Sequence, residues 1–438
     1  MFKRVLFILG ILLIGSMMLV ACGPEDTVPD VELEGVTISF WHVYGEGDPR
    51  NEAITAIVAD FNATNEYGIT VEALDQGQYG DVEDKVNAGI QSGDLPNVVQ
   101  AYTSALLNWD TVDMVVDLQP YVDDPEYGLS TEELDDIYPS VLDLGITQDG
   151  RRLSWPISQS ANVLVYNYTW AQELGFDAAP TTSAELKDQI CAAAAANADG
   201  TGGMVWFPST SNITTFVHAF SGDFMNDDNT AYDFETEEIK AAAMYINELR
   251  DAGCAHLVDG YPNPEQANRQ ALVTLSSSSG LKYYGYAFSD AENDDTWGFF
   301  PAFGPDGSLG VDSFTQTVGV LRSTPEMEAA SWIFTNYLAS AANQATWIEA
   351  SGYFPTHFST ETLIADYIAD NSIYAAGFSA VSQLGQGEPE TFPAWNSVRR
   401  ALGDAAAELY VAETEAEIDA ILAALNVTAA DLVAEIAE

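Results

Sequence analysis

The chain has 438 residues, of which 47% are hydrophobic and 11% aromatic, so it is long enough to fold into two packed lobes. Its 14 Lys and Arg stand against 67 Asp and Glu, a formal net charge of −53. This charge excludes nucleic acids and anionic membrane surfaces as partners, because phosphates are bound by cations that displace counterions. The acids are spread along the whole chain, which is typical of a highly soluble surface or, alternatively, of adaptation to a saline habitat.

The N-terminal residues resemble a bacterial lipoprotein signal. Lys3 and Arg4 precede an apolar run over residues 5–20, which is shorter than the roughly 20 residues of a spanning helix and typical of a signal peptide. The run ends in LVACG, where small residues before Cys22 permit cleavage and the thiol accepts a lipid. We expect residues 1–21 to be removed, Cys22 to be lipidated and residues 22–35 to form a flexible tether. The alternative is an ordinary secretory signal followed by an incidental cysteine.

The first part of the mature chain alternates strands and helices. Residues 36–41 are β-branched and alternate in polarity, which predicts a strand. An apolar stripe at helical spacing predicts a helix over residues 50–65. The pattern then continues with a strand over 69–74, a helix over 81–92 and a buried strand over 98–102. This alternation is typical of an open, mostly parallel sheet, so the first lobe is predicted to be α/β.

The rest of the chain predicts a second α/β lobe and a helical C-terminal region. Two strands are expected at 153–157 and 162–167, on either side of the polar residues 158–161, with further short strands near Val205 and Val273. Helices are predicted over residues 183–197, 235–251, 263–271, 325–339, 341–350 and 397–411, and from Glu413 onward.

Two cysteines remain once Cys22 is set aside. In an oxidising exterior Cys191 and Cys254 form a disulfide or stay as two buried thiols, and the sequence leaves both possibilities open.

Five segments, in order along nearly the whole mature chain, resemble family 1 of the extracellular solute-binding proteins, in particular the branch that includes the glycerol-3-phosphate-binding protein. The segments are ISFWH at 38–42 with DFN at 60–62; GQY at 77–79 with GDLPNVVQ at 93–100; DG at 149–150 with WPISQS at 155–160 and VLVYN at 163–167; LSSSSGL at 275–281; and WIFTNYL at 332–338 with SGYFP at 351–355.

This resemblance implies an α/β, two-lobe periplasmic-binding-protein fold of type II-like topology, with a hinge between the lobes. We expect the N-terminal lobe to comprise residues 36–148 and 315–352, and the C-terminal lobe to comprise 149–314 and 353–438. The chain is expected to cross between them near 147–153, 311–317 and 351–356.

The predicted ligand site lies at the carboxyl ends of the strands, where open α/β sheets bind their ligands. The resemblance implies ligand contacts from Tyr79, Ser160, one of Ser277 to Ser279, and Tyr353. Further candidates are residues that lie in the predicted loops or carry side chains suited to binding polyols. The extended set is Trp41, Tyr44, Thr103, Ser158, Gln159, Trp206, Ser277, Ser278, Ser279, Trp395 and Arg399.

Structural alternatives accompany several of these residues. Trp41 ends an apolar strand and suits core packing equally well. Tyr79 could belong only to the start of its helix, and the Ser277 to Ser279 run could be only a helix N-terminus. Trp395 follows Pro393 in a loop, which favours a platform for the ligand over a core position.

Departures from the glycerol-3-phosphate branch favour a neutral ligand. Thr103 stands where that branch has a Glu, Tyr168 replaces its Lys, and its late Arg falls at Asn396. Arg399 and Arg400, one helical turn further, could substitute for it. Binding a doubly charged phosphate without a well-placed Arg in so acidic a chain is hard to justify, so a sugar or polyol is the expected cargo.

The sequence offers no motif for catalysis, a cofactor or a metal. It has four His, and it lacks HExxH and paired Cys and His spacing, a GxSxG elbow and a Walker loop. The expected function is therefore that of the monomeric, lipid-anchored binding component of an ABC importer. It would act on the extracytoplasmic face of the cell membrane, with the permease's transmembrane subunits as partners. The alternatives are a glycerol-3-phosphate or glycerophosphodiester binder and a surface carbohydrate-active hydrolase or lyase.

Overall fold

The computed structural model describes residues 28–147, 149–258, 260–381 and 387–437. The predicted leader and Cys22 lie outside the described residues. Its β-strands are β1 (Thr37–His42), β2 (Thr70–Asp75), β3 (Val98–Gln100), β4 (Trp155–Asn167), β5 (Gly202–Trp206), β6 (Ala255–Leu257), β7 (Ala271–Ser277), β8 (Trp297–Phe300), β9 (Ala302–Phe303), β10 (Leu309–Gly310) and β11 (Asp312–Val320).

The helices pack on both faces of these strands. They are α1 (Pro49–Thr64), α2 (Tyr79–Ser92), α3 (Thr103–Asp110), α4 (Gln119–Val122), α5 (Thr131–Asp136), α6 (Pro139–Leu142), α7 (Tyr168–Glu173), α8 (Ser183–Ala196), α9 (Thr210–Ala219), α10 (Glu237–Asp251), α11 (Asn263–Ala267), α12 (Leu281–Asp290), α13 (Pro325–Ala339), α14 (Ala341–Ser351), α15 (Phe358–Leu363), α16 (Ala365–Asp370), α17 (Ser372–Val381), α18 (Trp395–Val411) and α19 (Glu415–Ala437). In the described part of the chain, no helix combines the length and apolarity that crossing a bilayer requires.

The predicted α/β class is confirmed by a mixed sheet in the order β2-β1-β3-β11-β4-β7-β5-β6, with β8 also paired to β4. At one end β1 pairs in parallel with β2 and β3, and at the other β5 pairs in parallel with β6 and β7. The antiparallel strands β4 and β11 join the two halves. Each half is thus a small parallel sheet, and the connection between them is a pair of long strands.

The buried apolar residues form one cluster in the first lobe and two in the second. The first packs α1 and α13 on β1, where Phe40 and Phe61 both contact the ring of Phe334. The other two lie on opposite faces of the C-terminal half of β4. Leu164 faces one and Val163 the other, because successive strand residues point to opposite sides of a sheet.

Strand β4 is continuous where two separate strands were predicted. The polar residues 158–160 interrupt the apolar pattern, but their backbone pairs with β11, in which Phe314 lies opposite Ser160. The interruption marks the crossing between the lobes and not a loop. A second bridge joins Gln159 to Phe354, with N to O distances of 2.9 and 2.7 Å.

The crossing in β4 lies later in the chain than the predicted 147–153. Leu153, Trp155 and Ile157 pack in the first core, although the predicted boundary assigned them to the C-terminal lobe. Tyr353 also packs there, whereas Ile348 packs against the C-terminal lobe. The reason is that β4 and α14 each contribute side chains to both lobes.

Part of the predicted tether is docked on the first lobe. Leu33 is 5% exposed, and Val28 and Val31 pack against the same core. The backbone of Gly35 donates to the oxygen of Gly68 at 3.2 Å. Apolar burial therefore orders residues 28–35, which composition alone assigned to a flexible linker.

Cys191 and Cys254 form a disulfide, with their Cα atoms 4.7 Å apart. Cys191 lies on α8 and Cys254 directly precedes β6, so the bond ties a helix of the C-terminal lobe to the edge of its sheet.

Candidate ligand-binding site

A cavity of about 740 Å³ lies between the lobes. The first lobe contributes Arg50 and Gln78 to its walls, and the second lobe contributes most of the rest. The residues of the second lobe that carry hydroxyl or amide groups are Asn162, Ser209, Ser211, Asn212, Asn263, Ser276, Ser277 and Ser279. We call this space the serine cavity.

The hydroxyls of the serine cavity stand where strand β7 ends. The Ser277 hydroxyl accepts from the backbone N–H of Ser279 at 3.3 Å and lies 2.9 Å from the Ser279 hydroxyl. On the neighbouring wall, Ser209 caps α9 by accepting from the N–H of Asn212 at 3.2 Å. Local helix capping thus fixes these serines at the edge of the cavity, as Ser and Thr side chains do at helix N-termini.

A buried network of phenols and amides lies beside the serine cavity. The amide of Gln100 donates to the hydroxyls of Tyr44 and Tyr79 at 2.9 and 3.2 Å. Gln316 donates to both as well, at 3.2 Å to Tyr79. Burial raises the pKa of Tyr44 and Tyr79 well above the ordinary value, so both phenols stay neutral. Each of the two amides therefore donates to both phenols.

Ser158 belongs to this network and uses its only donor within it. It donates to the Gln316 side-chain oxygen at 2.5 Å and accepts from the indole N–H of Trp347 at 3.1 Å. Its fully buried hydroxyl therefore orients Gln316.

Three side-chain contacts hold the mouth of the cleft together. Arg50 donates to the Tyr283 hydroxyl at 3.2 Å while it is ion-paired with Asp48 at 2.5 Å. On the other side of the cleft, Glu83 accepts from Arg400 at 2.8 Å and from Asn396 at 3.2 Å. These contacts join α1 and α2 of the first lobe to α12 and α18 of the second.

The second cavity, of about 160 Å³, is lined by Glu388 and Glu390; we call it the acid chamber. Thr103 is one of its lining residues from the first lobe, Gln159 and Ser160 come from β4, and the carboxylates come from the loop before α18. Its other lining residues are Ser140, Leu144, Gly145, Ser313, Phe314, Thr315, Gly387, Pro389 and Thr391.

The charges around the acid chamber are unbalanced. The guanidinium of Arg399 pairs with Glu388 at 2.5 Å. Asp312, which is fully buried, is close enough to both for their charges to interact. Burial, followed by the charge of Glu388, raises the pKa of Asp312 well above its usual range. The same two causes raise the pKa of Glu390 to about 8.

We predict that E390Q becomes more stable relative to the wild type as the pH rises from 5 to 8.5. A carboxyl whose pKa is raised by folding stabilises the protein below its unfolded pKa, and this contribution is lost as pH rises through the folded value, here about 8. A pKa difference of one unit between the folded and unfolded states corresponds to about 1.4 kcal/mol of stability. Because Glu390 is partly exposed, we expect the stability of E390Q relative to the wild type to change by about 1 to 2 kcal/mol over this pH range. Urea unfolding at several pH values measures it. A difference between the two proteins that is independent of pH would contradict the prediction.

The structure brings together about two thirds of the sequence-predicted site residues. Ser277 and Ser279 line the serine cavity, Thr103, Gln159 and Ser160 line the acid chamber, and Arg399 contacts Ser211 of the cavity at 2.9 Å. Tyr44, Tyr79, Ser158 and Tyr353 lie in or beside the buried network. The pKa of Tyr353 is raised by burial, with Arg50 and Ser279 acting in the opposite direction.

Four predicted site residues have structural roles instead. Trp206 is 1% exposed and packs between Phe216 and Tyr410. Trp395 is also 1% exposed and belongs to the same core. Trp41 packs against the first core, and the buried Ser278 hydroxyl accepts from the N–H of Ala161 at 3.1 Å. The two tryptophans are buried because each lies on the inner face of its element, which a loop-like local sequence does not reveal.

Several residues of the site were missed. Gln100 ends the apolar run of β3, a signal that sequence reasoning could have used, whereas Gln316 lies among other polar residues of β11 and carries no such signal. Asp312, Glu388 and Glu390 could not be distinguished among 67 acidic residues. The others are Arg50, Gln78, Asn162, Ser209 and Ser211, whose convergence depends on the relative position of the two lobes.

A sequence profile described as bacterial extracellular solute-binding protein matches residues 56–382. A search of curated protein sequences returned no match. Among solved structures, the sugar-binding protein MalE from Xanthomonas citri superposes with a TM-score of 0.76 at 19% identity, covering 91% of this chain and 98% of that one.

Two further structures have comparable similarity. The cyclic alpha-maltosyl-1,6-maltose binding protein from Arthrobacter globiformis gives a TM-score of 0.75 at 19% identity, covering 90% of this chain and 99% of that one. UgpB from Mycobacterium tuberculosis, in complex with glycerophosphocholine, gives 0.76 at 16% identity, covering 92% and 99%. At these identities the similarity establishes the two-lobe fold.

Proposed function

We propose that this chain, which belongs to the family of bacterial extracellular solute-binding proteins, is the substrate-binding component of an ABC importer that captures a sugar or related polyol between its lobes. The observation that carries the proposal is the serine cavity. Its volume of about 740 Å³ lies within the range of small-molecule sites, and hydroxyl and amide groups of the second lobe line it opposite the Gln78 amide and the Arg50 guanidinium of the first.

The chemistry of the serine cavity suits a carbohydrate. Sugar hydroxyls need both donors and acceptors, and Ser and Asn side chains supply them. Three aromatic rings also line the cavity: Phe207 is 48%, Tyr261 87% and Tyr283 46% exposed. Exposed rings of this kind offer flat apolar faces on which the C–H faces of a sugar pack. The names of two structural neighbours, which bind sugars, agree with this choice.

A phosphate-bearing ligand is the second candidate, because UgpB, one of the structural neighbours, is bound to glycerophosphocholine. The arginines that could receive a phosphate are already paired: Arg399 with Glu388, Arg400 with Glu83, and Arg50 with Asp48. A phosphate would have to displace a carboxylate from one of them. We therefore favour the neutral sugar.

The chain is proposed to bind its ligand without chemical conversion. Its family and its structural neighbours are binding proteins. The rival hypothesis, a carbohydrate-active hydrolase or lyase, requires a pair of carboxylates on either side of a scissile bond. Incubation of the purified protein with oligosaccharides distinguishes the two, because the appearance of products would contradict the proposal.

The proposed mechanism is closure of the two lobes about three crossings, at β4, at β11 and near residues 351–356. Ligand contacts made only in the closed form shift the population toward it, and the closed form then docks on the permease. The contacts of Arg50 with Tyr283 and of Glu83 with Arg400 are the bonds that opening would break. We further propose that the protein acts as a monomer on the extracytoplasmic face of the cell membrane, held by lipid on Cys22.

We predict that a sugar present at 100 times its dissociation constant stabilises the protein by about 2.7 kcal/mol, and that S277W abolishes this effect. The indole would occupy the serine cavity from the wall that Ser277 forms. A thermal-shift screen across mono- and oligosaccharides, polyols and glycerophosphodiesters identifies the ligand. The same measurement is then repeated on S277W.

Y286W is the matched control for this prediction. It places the same indole on the same lobe, on a residue that is 58% exposed and does not line the serine cavity. Its thermal shift should equal that of the wild type. If S277W retained the full shift, the serine cavity would not be the binding site.

A further inference from the structure

We propose that the cargo is an oligosaccharide whose chain leaves the serine cavity and lies along a groove on the outer surface of the second lobe. The groove has a volume of about 520 Å³ and is lined by α11, α12 and the residues next to them; we call it the tyrosine groove. This inference rests on the proposed function and adds a binding site for further sugar units outside the cleft. It is carried by the continuity of the two spaces and by the tyrosines exposed along them.

The tyrosine groove is continuous with the serine cavity. Tyr261, Asn263 and Tyr283 line both spaces. Tyr283 stands at the mouth of the cleft, since its hydroxyl accepts from Arg50 of the first lobe at 3.2 Å. Every residue that lines the groove lies within 261–291 of the second lobe, so the groove is outside the cleft. A sugar chain that extends from the cavity past Tyr283 therefore enters the groove.

Exposed aromatic side chains are concentrated along this path. In the part of the chain that the structure describes, the exposed large aromatic residues are Phe207, Tyr261, Tyr283, Tyr286 and Phe358. The first four line the serine cavity or the tyrosine groove, and only Phe358 lies elsewhere. Clustered apolar surface on a soluble protein usually marks a binding site. The distribution therefore indicates one extended site and not scattered surface residues.

Helix α12 presents two of these tyrosines to solvent. Tyr284 and Phe288 are 0% and 4% exposed and pack in the core of the second lobe. Tyr283 and Tyr286, three residues apart, share the solvent side, where an amphipathic helix normally carries polar residues. Their rings are 6.4 Å apart and nearly perpendicular, so they do not stack on each other. Core packing explains the first pair, whereas ligand binding explains the second.

The groove also offers hydrogen-bonding groups. Within residues 28–147, 149–258, 260–381 and 387–437, the amide of Asn263 and the hydroxyls of Tyr261 and Tyr286 make no hydrogen bond. Asp290 adds a carboxylate at the end of α12. A sugar unit has a C–H face and a rim of hydroxyls, so aromatic faces beside amide and hydroxyl groups suit it.

A protein partner is the alternative occupant, because tyrosines are also enriched at protein interfaces. The lining that the groove shares with the serine cavity favours the sugar. A protein contact would not require continuity with the cleft, whereas a ligand that fills both spaces does.

The two spaces suit a ligand of several sugar units. Small-molecule sites span roughly 300 to 1,000 Å³. The serine cavity, at about 740 Å³, already lies in the upper part of this range, and the groove extends it. Sugar units in the groove would be held on one face only, since Tyr286 is 58% exposed. Affinity should therefore rise with chain length and then reach a plateau when the groove is filled.

The test measures affinity against chain length by calorimetry on the full mature chain. The probes are malto-, cello-, xylo- and manno-oligosaccharides of one to six units. We expect the hexasaccharide of at least one series to bind about tenfold more tightly than the shortest member that binds. Y286A should weaken binding of that hexasaccharide about fivefold and change the affinity for the shortest member less than about twofold, because Tyr286 lines the groove and not the cavity.

Two further variants serve as controls. F358A removes an aromatic side chain that is 50% exposed and lines neither space, so it should match the wild type at every chain length. Y286W keeps an aromatic face in the groove and should retain the dependence on chain length. Its added indole should also change fluorescence with the hexasaccharide but not with the shortest member.

The failure of this inference differs from the failure of the proposed function. Affinity that is independent of chain length, or binding of monosaccharides and polyols alone, would overturn the inference and leave the sugar-binding proposal intact. If Y286A behaved like F358A, the groove would not bind sugar, and a protein contact would explain its tyrosines better. Binding of no monosaccharide, oligosaccharide or polyol would overturn the proposed function itself.

Discussion

Replacing Trp395 with alanine is expected to lower the free energy of unfolding by about 3 to 5 kcal/mol, the usual loss for a large aromatic side chain removed from a core. The indole is 1% exposed and lies 5.8 Å from the ring of Tyr232 and 5.9 Å from that of Phe224. Its N–H donates to Glu388. The substitution therefore opens a cavity and removes one of the donors to a buried carboxylate. Urea unfolding at pH 7 measures the loss.

Two controls separate packing from the hydrogen bond. W395F keeps most of the ring and loses the N–H, so it should retain more than half of the stability that W395A loses. Y261A removes an aromatic side chain that is 87% exposed and should change stability by less than about 0.5 kcal/mol. If W395A unfolded like the wild type but lost its sugar-induced thermal shift, Trp395 would be a ligand platform and its assignment to the core would be wrong.

R399M is expected to lower the free energy of unfolding by about 2 to 4 kcal/mol at pH 7. Removing one partner of a fully buried ion pair usually costs about 3 to 5 kcal/mol, because a buried charge is left uncompensated. Here the side chain of Glu388 is 2% exposed, but that of Arg399 is 35% exposed, which reduces the expected loss. The substitution also removes a favourable interaction with Asp312, because the charge of Arg399 lowers the pKa of that carboxyl. The loss should shrink toward pH 5, where Asp312 and Glu390, whose pKa values are raised, hold protons and need less compensation.

R400M is the matched control for R399M. Arg400 directly follows Arg399 in the same helix and pairs with Glu83 at 2.8 Å, but its side chain is 69% exposed. An exposed ion pair contributes about 0 to 1 kcal/mol, so R400M should be close to the wild type. The double variant R399M/E388Q should recover part of the lost stability, because it removes the unpaired charge together with its partner. If R399M lost no more than R400M, the acid chamber would not depend on Arg399 for its charge balance.

These predictions bear on how the chain tolerates its acidity. A net charge of −53 on the whole chain is compatible with folding mainly because most acids lie in solvent, where they are weakly coupled. Asp312 and Glu388 are the exception, since both side chains are buried close to the guanidinium of Arg399. Stability at this place therefore depends on charge balance, and the guanidinium of Arg399 supplies the positive charge.

The sequence determined the class of the fold and much of its secondary structure. Helix α1 was predicted from its apolar stripe and strand β1 from its alternating β-branched residues. Both predictions were possible because the spacing of apolar residues indicates which face of an element is buried. The predicted helix over 81–92 begins two residues earlier, at Tyr79, because Gln78 and Asp81 form a capping box. The serines at 277 and 279 were also predictable, since a polar run at the end of an apolar strand marks the edge of a sheet.

Only the tertiary structure decided how β4 crosses between the lobes and which polar residues meet there. The residues 158–161 look like a loop locally, and they form a strand because β11, more than 150 positions later, supplies the hydrogen-bond partners. Trp206 and Trp395 became core residues, and Asp312 and Glu388 became a buried pair, for the same reason. Burial and charge balance are properties of groups that are distant in sequence and adjacent in space, so local pattern specified the elements and packing specified the site.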